Sequence, residues 1–430
     1  MRLMFSLIFL VLSVVLSAGN NSKVWRSNGV EVWFIADNNL PMLDLSLVFD
    51  AGSIREGKNQ GLAKLTNSMI FTGCGNNLES DVAKLFEASG ASNSADSEYD
   101  FAKVSLRVLT ERQYLEPALA AYTQCLSEPR FSMKSLSKVR SILAAKWREN
   151  QKDPIYLAMG HLKKQFYPNH AYGRFTNVAP KKMSEIKLES INSFYRAHYN
   201  SANARLILVG DLSDQQAHKI ADKITASLLK GDPLPKLPKV KPGLLKSANI
   251  YLPNQVQDTF VLALPGLAIS ANGSLALDIA NQPLASGALS SRLMQQLREK
   301  YGFTYSISGL MRQRKLAGEY YILFKSRPKV SDKALSVAQQ TIENYLHTGA
   351  SAKEFEFAKK AMINEYKYSS SSNYGLMQDL VATAGVSLGL DWYQSYPERV
   401  NKISLEKINK VFAGMYAKVK PVIVRVINAK

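Results

Sequence analysis

The alternation of hydrophobic and polar residues divides the chain into short strands followed by long helices. Three runs have the spacing and composition of strands: "EVWFIA" at 31–36, "LDLSLVF" at 43–49 and "FAKVSLRVL" at 101–109. Stretches with helical periodicity follow, among them 114–129 and 332–349. Strands joined by short turns and followed by runs of helices predict an α+β layered domain with mainly antiparallel sheets, and not a doubly wound parallel sheet.

The same pattern occurs twice along the chain. Residues 186–199 read "IKLESINSFYRAHY" and residues 403–416 read "ISLEKINKVFAGMY", with six of fourteen positions identical at an offset of 217. A strand-like run follows each segment, "ARLILVG" in the first case and "PVIVRVI" in the second. The sequence therefore predicts two homologous α+β domains related by internal duplication.

A segment rich in proline and lysine separates the two copies. Residues 228–246 contain four prolines and five lysines, a composition that suits an extended, solvated linker. We therefore predict an N-terminal domain at 22–228, a linker at 229–246 and a C-terminal domain at 247–430.

The first twenty residues have the organisation of a secretory signal peptide. Arg2 precedes an apolar run from Leu3 to Leu16, and small residues follow it. The run is shorter than the roughly 20 residues of a membrane span. We predict a signal peptide at 1–18 and a soluble, exported, for example periplasmic, protein without a stable membrane anchor; an uncleaved N-terminal anchor is the alternative.

Charge and cysteine content add two open questions. The formal net charge is +19, from 54 basic and 35 acidic residues, but the basic residues are dispersed. This charge favours solubility, and attraction to acidic partners is the alternative. No glycine-rich phosphate loop supports nucleotide binding, and we expect no nucleic-acid partner. Cys74 and Cys125 could pair in an oxidising compartment or remain free thiols, and the sequence leaves both open.

One predicted helix has the shape of a metal-binding helix without its ligands. In "GLAKLTNSMIFTGCG", residues 61–75, Lys64, Asn67, Ser68 and Phe71 fall on one helical face, opposite an apolar face. Zinc peptidases place two histidines four residues apart and a glutamate on such a face. Here lysine, asparagine and serine stand at those positions.

This region and several others resemble the M16 peptidases, the family of insulinase, pitrilysin and the mitochondrial processing peptidase. The stretch "FDAGSIREGKNQGLAKLTNSMIFTGCG" is similar to the start of M16 domains, which continue from A-G-S to G-L-A-H-x-x-E-H. The segments "HAYGRF", "INSFYRAHYNSANARLILVGD" and "ALSSRLMQQLREKYGFTYSISG" match as well. The resemblance covers the chain beyond the signal peptide, and it implies two M16-type domains and a two-chain peptide-binding chamber.

The resemblance also shows what is missing. It aligns the two zinc-binding histidines with Lys64 and Ser68 and the catalytic glutamate with Asn67, and it places the third ligand near Ala144 or Ala145, one turn from Glu149. An ammonium group would repel a dication. No two of the five histidines stand three or four residues apart; they are His161, His170, His198, His218 and His347. We expect no metal or cofactor bound by this chain and no peptide hydrolysis by it alone.

Other family residues are kept in the second half. The resemblance gives Arg298 and Tyr305, in "LREKYGFTY", the role of holding the substrate carbonyl at the zinc site of a partner chain. By local chemistry alone, Arg298 would be a cation at a helix end stopped by Gly302, and Tyr305 a strand aromatic. Asn93, in the Gly/Ser-rich "GASNSADSEYDF", aligns with residues that bind the substrate backbone, although asparagine in such a segment is typical of a turn.

Three functional hypotheses follow. The first is a non-catalytic subunit of an exported two-chain zinc peptidase, with zinc in the partner, peptides as substrates and Arg298 and Tyr305 acting in trans. The second is an inactive M16-like scaffold or peptide-binding protein with no role in hydrolysis. The third is binding to anionic surfaces through the basic charge.

Overall fold

The computed structural model describes residues 22–429, so the predicted signal peptide at 1–18 lies outside the described residues. Within this range no helix is long and apolar enough to cross a bilayer. The strands are β1 (Ser22–Ser27), β2 (Val30–Ala36), β3 (Met42–Phe49), β4 (Gly73–Cys74), β5 (Asn77–Leu78), β6 (Ser92–Ser97), β7 (Ala102–Leu109), β8 (Ala204–Gly210), β9 (Ala248–Leu252), β10 (Asp258–Gly266), β11 (Ile307–Gln313), β12 (Gly318–Ser326) and β13 (Val422–Asn428).

Most of the helices follow the strands, as the sequence predicts. They are α1 (Leu62–Ser68), α2 (Glu79–Ala88), α3 (Arg112–Ser127), α4 (Met133–Asn150), α5 (Pro154–Phe166), α6 (Pro180–Ser184), α7 (Leu188–His198), α8 (Asp214–Ala226), α9 (Ser274–Asn281), α10 (Arg292–Met294), α11 (Ser331–Thr348), α12 (Ala352–Ser369), α13 (Asn373–Gly385), α14 (Leu390–Gln394), α15 (Tyr396–Lys402) and α16 (Leu405–Tyr416). π-helical turns at Gln282–Ser286 and Gln295–Lys300 follow α9 and α10.

The two main sheets repeat one topology. The first has the order β1-β2-β8-β3-β7-β6 and the second the order β9-β13-β10-β12-β11. Five strands correspond in order and direction, including one parallel pair in each sheet, β2 with β8 and β9 with β13. Ile186 and Ile403 stand two residues before the equivalent helices α7 and α16. The α+β fold is confirmed, and the topology agrees with the predicted duplication.

Each half of the chain supplies a helix to the other half's sheet. The outer face of the first sheet, with Trp33 and Val209, packs against Leu380 and Val381 of α13. Conversely, α5 from the first half covers the outer face of the second sheet. Residues 230–247, between the halves, contain neither helix nor strand. The two halves therefore interlock, an arrangement that the sequence analysis did not anticipate.

A disulfide bond connects strand β4 to helix α3 in the first half of the chain. Cys74 of β4 and Cys125 of α3 are joined, with Cα atoms 4.7 Å apart and a separation of 51 positions in sequence. Both cysteines are fully buried. The structure thus selects the paired alternative of the two that the sequence left open.

Removing this bond is expected to destabilise the fold. A closed loop of this length restricts the unfolded chain, and the double variant Cys74→Ala/Cys125→Ala should lose about 2–4 kcal/mol of unfolding free energy. Urea denaturation of the oxidised protein and the double variant measures the difference. Dithiothreitol should destabilise only the protein with both cysteines. Equal denaturation midpoints for the two proteins would contradict the prediction.

Candidate functional site

The helix that carries the altered zinc motif begins at a tightly constrained turn. Gly61 precedes α1 with φ 91°, and a Cβ there would lie 2.7 Å from Val178. The buried carboxylate of Glu56 accepts hydrogen bonds from the backbone N–H groups of Gly61 (2.9 Å) and Ala63 (3.1 Å). Burial raises the pKa of Glu56 to about 7, against the opposing effect of these bonds and of Arg174. Glu56 thus accepts hydrogen bonds from backbone N–H groups at the start of α1 that have no partner within the helix.

The positions of the zinc motif are occupied by contacts of another kind. Lys64 forms an ion pair with Asp96 of β6. Asn67 is fully buried, and its amide donates to the Tyr199 hydroxyl at 3.1 Å and to the Lys103 carbonyl at 3.4 Å. Two of the residues on the predicted polar face of this helix are therefore already engaged within the chain. An ammonium paired with a carboxylate and an amide fixed to the sheet do not form a zinc ligand set.

Two details of the predicted helix are corrected by the structure. The helix ends at Ser68, so Phe71 does not share its face and packs instead on Phe86 and Tyr122, with ring centroids 5.5 and 6.3 Å away. Because the helix ends at Ser68, the Phe71 side chain packs against the hydrophobic core and does not extend the polar face.

The region expected to hold the third zinc ligand offers none. Ala144 lies buried in α4, and Glu149 on the same helix is exposed and paired with Lys146 at 3.1 Å. In residues 22–429, no group of three or more histidine, cysteine, aspartate or glutamate side chains could hold a metal ion. The residues present do not fit the zinc that the family uses.

We therefore expect the purified chain to contain no stoichiometric zinc. Lys64 would repel the ion, and Asn67 and Ser68 offer only neutral amide and hydroxyl oxygens in place of imidazole and carboxylate. Elemental analysis after dialysis measures zinc per chain, with a peptidase that has an intact His-x-x-Glu-His motif dialysed alongside as the positive control. One tightly held zinc ion per chain would contradict this expectation.

Arg298 and Tyr305 lie together on the surface of the second half. The Arg298 guanidinium carbon stands 4.8 Å from the centre of the Tyr305 ring, a cation–π contact. Tyr305 is 79% exposed, and Arg298 makes no ion pair within the part of the chain described. The guanidinium and phenol donors are therefore available to an acceptor outside the chain.

The local fold explains how this pair is held. Arg298 belongs to the π-helical turn Gln295–Lys300, which is anchored by the buried Leu297. The chain then reverses at Gly302, with φ 61°, and the Phe303 N–H donates to the Leu297 carbonyl at 2.7 Å. Gly302 is the helix stop that the sequence predicts.

Asn93 lies on a strand and not in the loop expected from its composition. It is half-buried in β6, the edge strand of the first sheet, opposite Leu106. The Lys64–Asp96 ion pair joins this strand to α1. Among the described residues, no hydrogen bond or ring contact connects Arg298 or Tyr305 to α1 or β6. The structure brings Asn93 close to the altered motif and leaves the Arg298–Tyr305 pair separate.

Two site residues were not identified from the sequence. Asp96, the partner of Lys64, and Glu56, which caps α1, lie inside quoted segments but were given no role, because each acts through a contact formed only in the fold. An acidic residue placed before a glycine and a helix start was the one available signal for Glu56.

Known proteins that are similar to this chain include members with and without a zinc peptidase name. Residues 32–178 match the model of the family "Insulinase (Peptidase family M16)", and residues 185–362 match "Peptidase M16 inactive domain". A Helicobacter pylori protein named "Non-peptidase homolog YmxG" is 22% identical over 88% of each chain. The "Zinc protease PqqE" of the same organism is 22% identical over 65% of this chain and 64% of that protein.

A solved structure is similar over nearly the whole chain. The crystal structure titled "peptidase M16 inactive domain", from Pseudomonas fluorescens, is 28% identical, covers 95% of this chain and 99% of that one, and has a TM-score of 0.89. The fold, the duplicated topology and the altered motif lead to the same conclusion as these matches: the chain belongs to the M16 peptidase family, as a member without the family's zinc-binding residues.

Proposed function

We propose that this chain is the non-catalytic subunit of an exported, heterodimeric M16-type zinc peptidase. It would form half of a peptide-binding chamber and present Arg298 and Tyr305 to the zinc site of its partner. The observation that carries the proposal is the contrast between the two halves. The metal positions are filled by the Lys64–Asp96 ion pair and the buried Asn67, whereas Tyr305 is exposed and the half-buried Arg298 makes no ion pair among the described residues.

The chemistry of peptide hydrolysis gives these donors a purpose. Attack on a peptide carbonyl develops negative charge on its oxygen, and fixed donors aimed at that oxygen stabilise the transition state more than the ground state. The ring contact between Arg298 and Tyr305 restricts both groups before any substrate arrives. In this proposal Asn93 would contact the peptide backbone, and its place on the edge strand β6 supports that role.

The proposal is tested by reconstitution. The chain and a zinc-bearing M16 partner, identified by co-purification from the source organism, are purified separately and mixed. Hydrolysis of a fluorogenic peptide is expected only in the mixture, because one chain supplies the metal site and the other supplies the oxyanion donors. A partner that is fully active alone would contradict the proposal.

A scaffold or peptide-binding protein without any role in hydrolysis is the second candidate. The name "Non-peptidase homolog" of the Helicobacter pylori relative favours it. Under this alternative, the chain binds peptides without a zinc-bearing partner, and no M16 zinc peptidase co-purifies with it. Co-purification therefore distinguishes the two candidates.

A further inference from the structure

A cavity of about 910 Å³ lies between the two halves of the chain. The turn between β6 and β7 and helix α5 form its wall on the side of the first half, and β11 and helices α12 to α15 form the opposite wall. The volume is in the range of small-molecule and peptide sites. The cavity exists because the halves interlock around it.

One end of the cavity is lined by aromatic rings. Tyr366 packs against Tyr393 and Tyr396, with ring centroids 5.0 and 5.5 Å apart. Tyr393 is only 6% exposed, and its hydroxyl lies beside the Tyr366 hydroxyl and the Asp379 carboxylate. Tyr393 and Asp379 both line the cavity, so a ligand at this end reaches a hydroxyl and a carboxylate.

The same end contains carboxylates without cationic partners. Asp379 and Glu365 line the cavity, and neither forms an ion pair within residues 22–429. Asp379 accepts a hydrogen bond from the Ser369 hydroxyl at 2.5 Å, and burial raises the pKa of Asp379. Asp278, which is hydrogen-bonded to the lining residue Gln313, has its pKa raised to about 7 by burial. In a chain of net charge +19, this lack of counter-ions is unusual.

The basic end of the cavity, by contrast, is already compensated. Arg314 is paired with the fully buried Glu319 at 2.5 Å, and Lys163 lies 3.9 Å from the same carboxylate. Burial lowers the pKa of Lys163 to about 7, which reduces its charge further. Arg312 also lines the cavity but is exposed to solvent. The cavity therefore has uncompensated negative charge, and this charge lies at the end formed by Tyr366, Tyr393 and Tyr396.

One guanidinium of the chain itself stacks on two rings that line the cavity, although Arg399 lies outside it, in a neighbouring pocket. Arg399 stacks 4.0 Å from the centre of the Trp392 ring and 5.6 Å from that of Tyr396. Its guanidinium donates to the Trp392 carbonyl at 2.8 Å and makes no ion pair among the described residues. The rings thus accept an organic cation, while the carboxylates remain available for a second one.

We propose that this cavity binds an organic cation, an alkylammonium or guanidinium group, between the tyrosine rings, the half-buried carboxylate of Asp379 and the exposed carboxylate of Glu365 at its opening. A metal ion is disfavoured because no cluster of three metal-type ligands occurs in the described residues. The cation can come from a free polyamine or from a basic side chain of a peptide. The site does not depend on the proposed role in peptide hydrolysis.

Calorimetric titration of the full chain tests the proposal with two probes, spermidine and a lysine-containing tetrapeptide. Saturable binding with one site per chain is expected for at least one of them. Tighter binding of spermidine indicates a free polyamine, and tighter binding of the tetrapeptide indicates a peptide side chain. No saturation by either probe at millimolar concentration would overturn the proposal.

Three variants locate the site. Asp379→Asn should weaken binding by at least 10-fold, Tyr393→Phe by about 3- to 10-fold, and Glu365→Gln, at an exposed carboxylate, by about 2- to 5-fold. Glu398→Gln is the matched control, because Glu398 is exposed and paired with Lys402 at 2.6 Å, and its binding should change less than 2-fold. If Asp379→Asn fails to fold, the other two decide. The proposal would be overturned if the control variant weakened binding as much as the site variants, or if the site variants did not weaken binding.

Discussion

Replacement of Arg298 by alanine, or of Tyr305 by phenylalanine, is expected to lower the turnover of the assembled peptidase by about 10- to 1000-fold. This range corresponds to roughly 1.4 to 4 kcal/mol of lost transition-state stabilisation. Each change removes one donor that would face the developing oxyanion. The loss should appear mainly in kcat, since the donors act more strongly on the transition state than on the bound substrate.

The structure explains why these variants should still fold and assemble. Tyr305 is 79% exposed, and its recorded contact is the ring contact with Arg298. Neither change creates a core cavity or leaves a buried charge unpaired, which are the usual causes of severe destabilisation. Size-exclusion chromatography with the partner and thermal unfolding of each variant check this point.

The chain contains a matched control pair beside the site. The Lys300 ammonium lies 5.0 Å from the centre of the Tyr301 ring, a second exposed cation–π contact on the same turn. Lys300→Ala and Tyr301→Phe should leave turnover nearly unchanged, and so should Lys64→Ala, which alters only the ion pair with Asp96. Silent Arg298 and Tyr305 variants in the assembled pair would favour the scaffold hypothesis.

The features predicted correctly from the sequence are those that local chemistry determines. The apolar runs that became β2, β3 and β7 carry β-branched and aromatic residues, and Gly302 ends its helix at positive φ. The repeated segment that forms α7 and α16 indicated the duplication, because the two copies still share buried positions such as Tyr199 and Tyr416.

The features missed depend on contacts between distant segments. Strand β6, "SNSADS", has a polar composition that predicts a loop, and it is a strand because it pairs with β7 along its length. The ion pair of Lys64 with Asp96 joins a helix to that unforeseen strand. The cavity between the halves has no local pattern, because its walls come from α5 and from helices more than 180 residues later in the chain.

Expressed alone, neither half of the chain is expected to fold. A fragment of residues 22–228 would expose the outer face of the first sheet, with Trp33 and Ile207, together with the apolar side of α5. The complementary fragment 247–430 would expose α13 and the outer face of the second sheet. Co-expressed, the two fragments should assemble and co-purify through a tag on one of them.

The stabilisation contributed by one interface is comparable to the net stability of a whole domain. Burying one large apolar side chain contributes about 1.5–3 kcal/mol, so five of them at one interface contribute roughly 8 to 15 kcal/mol. Net stabilities of whole domains are only about 5–15 kcal/mol. Loss of either interface is therefore enough to unfold a fragment.

Point variants in the co-expressed fragments separate this explanation from non-specific association. Leu380→Asp places a charge at a fully buried position of α13 against the first sheet, and it should abolish co-purification. Phe357→Asp, at a position of α12 that is 57% exposed, makes the same kind of change outside the interface and should leave co-purification intact. A soluble fragment 22–228 with a cooperative thermal transition would contradict the prediction. It would show that the halves fold as independent domains and that the exchanged helices are not required for folding.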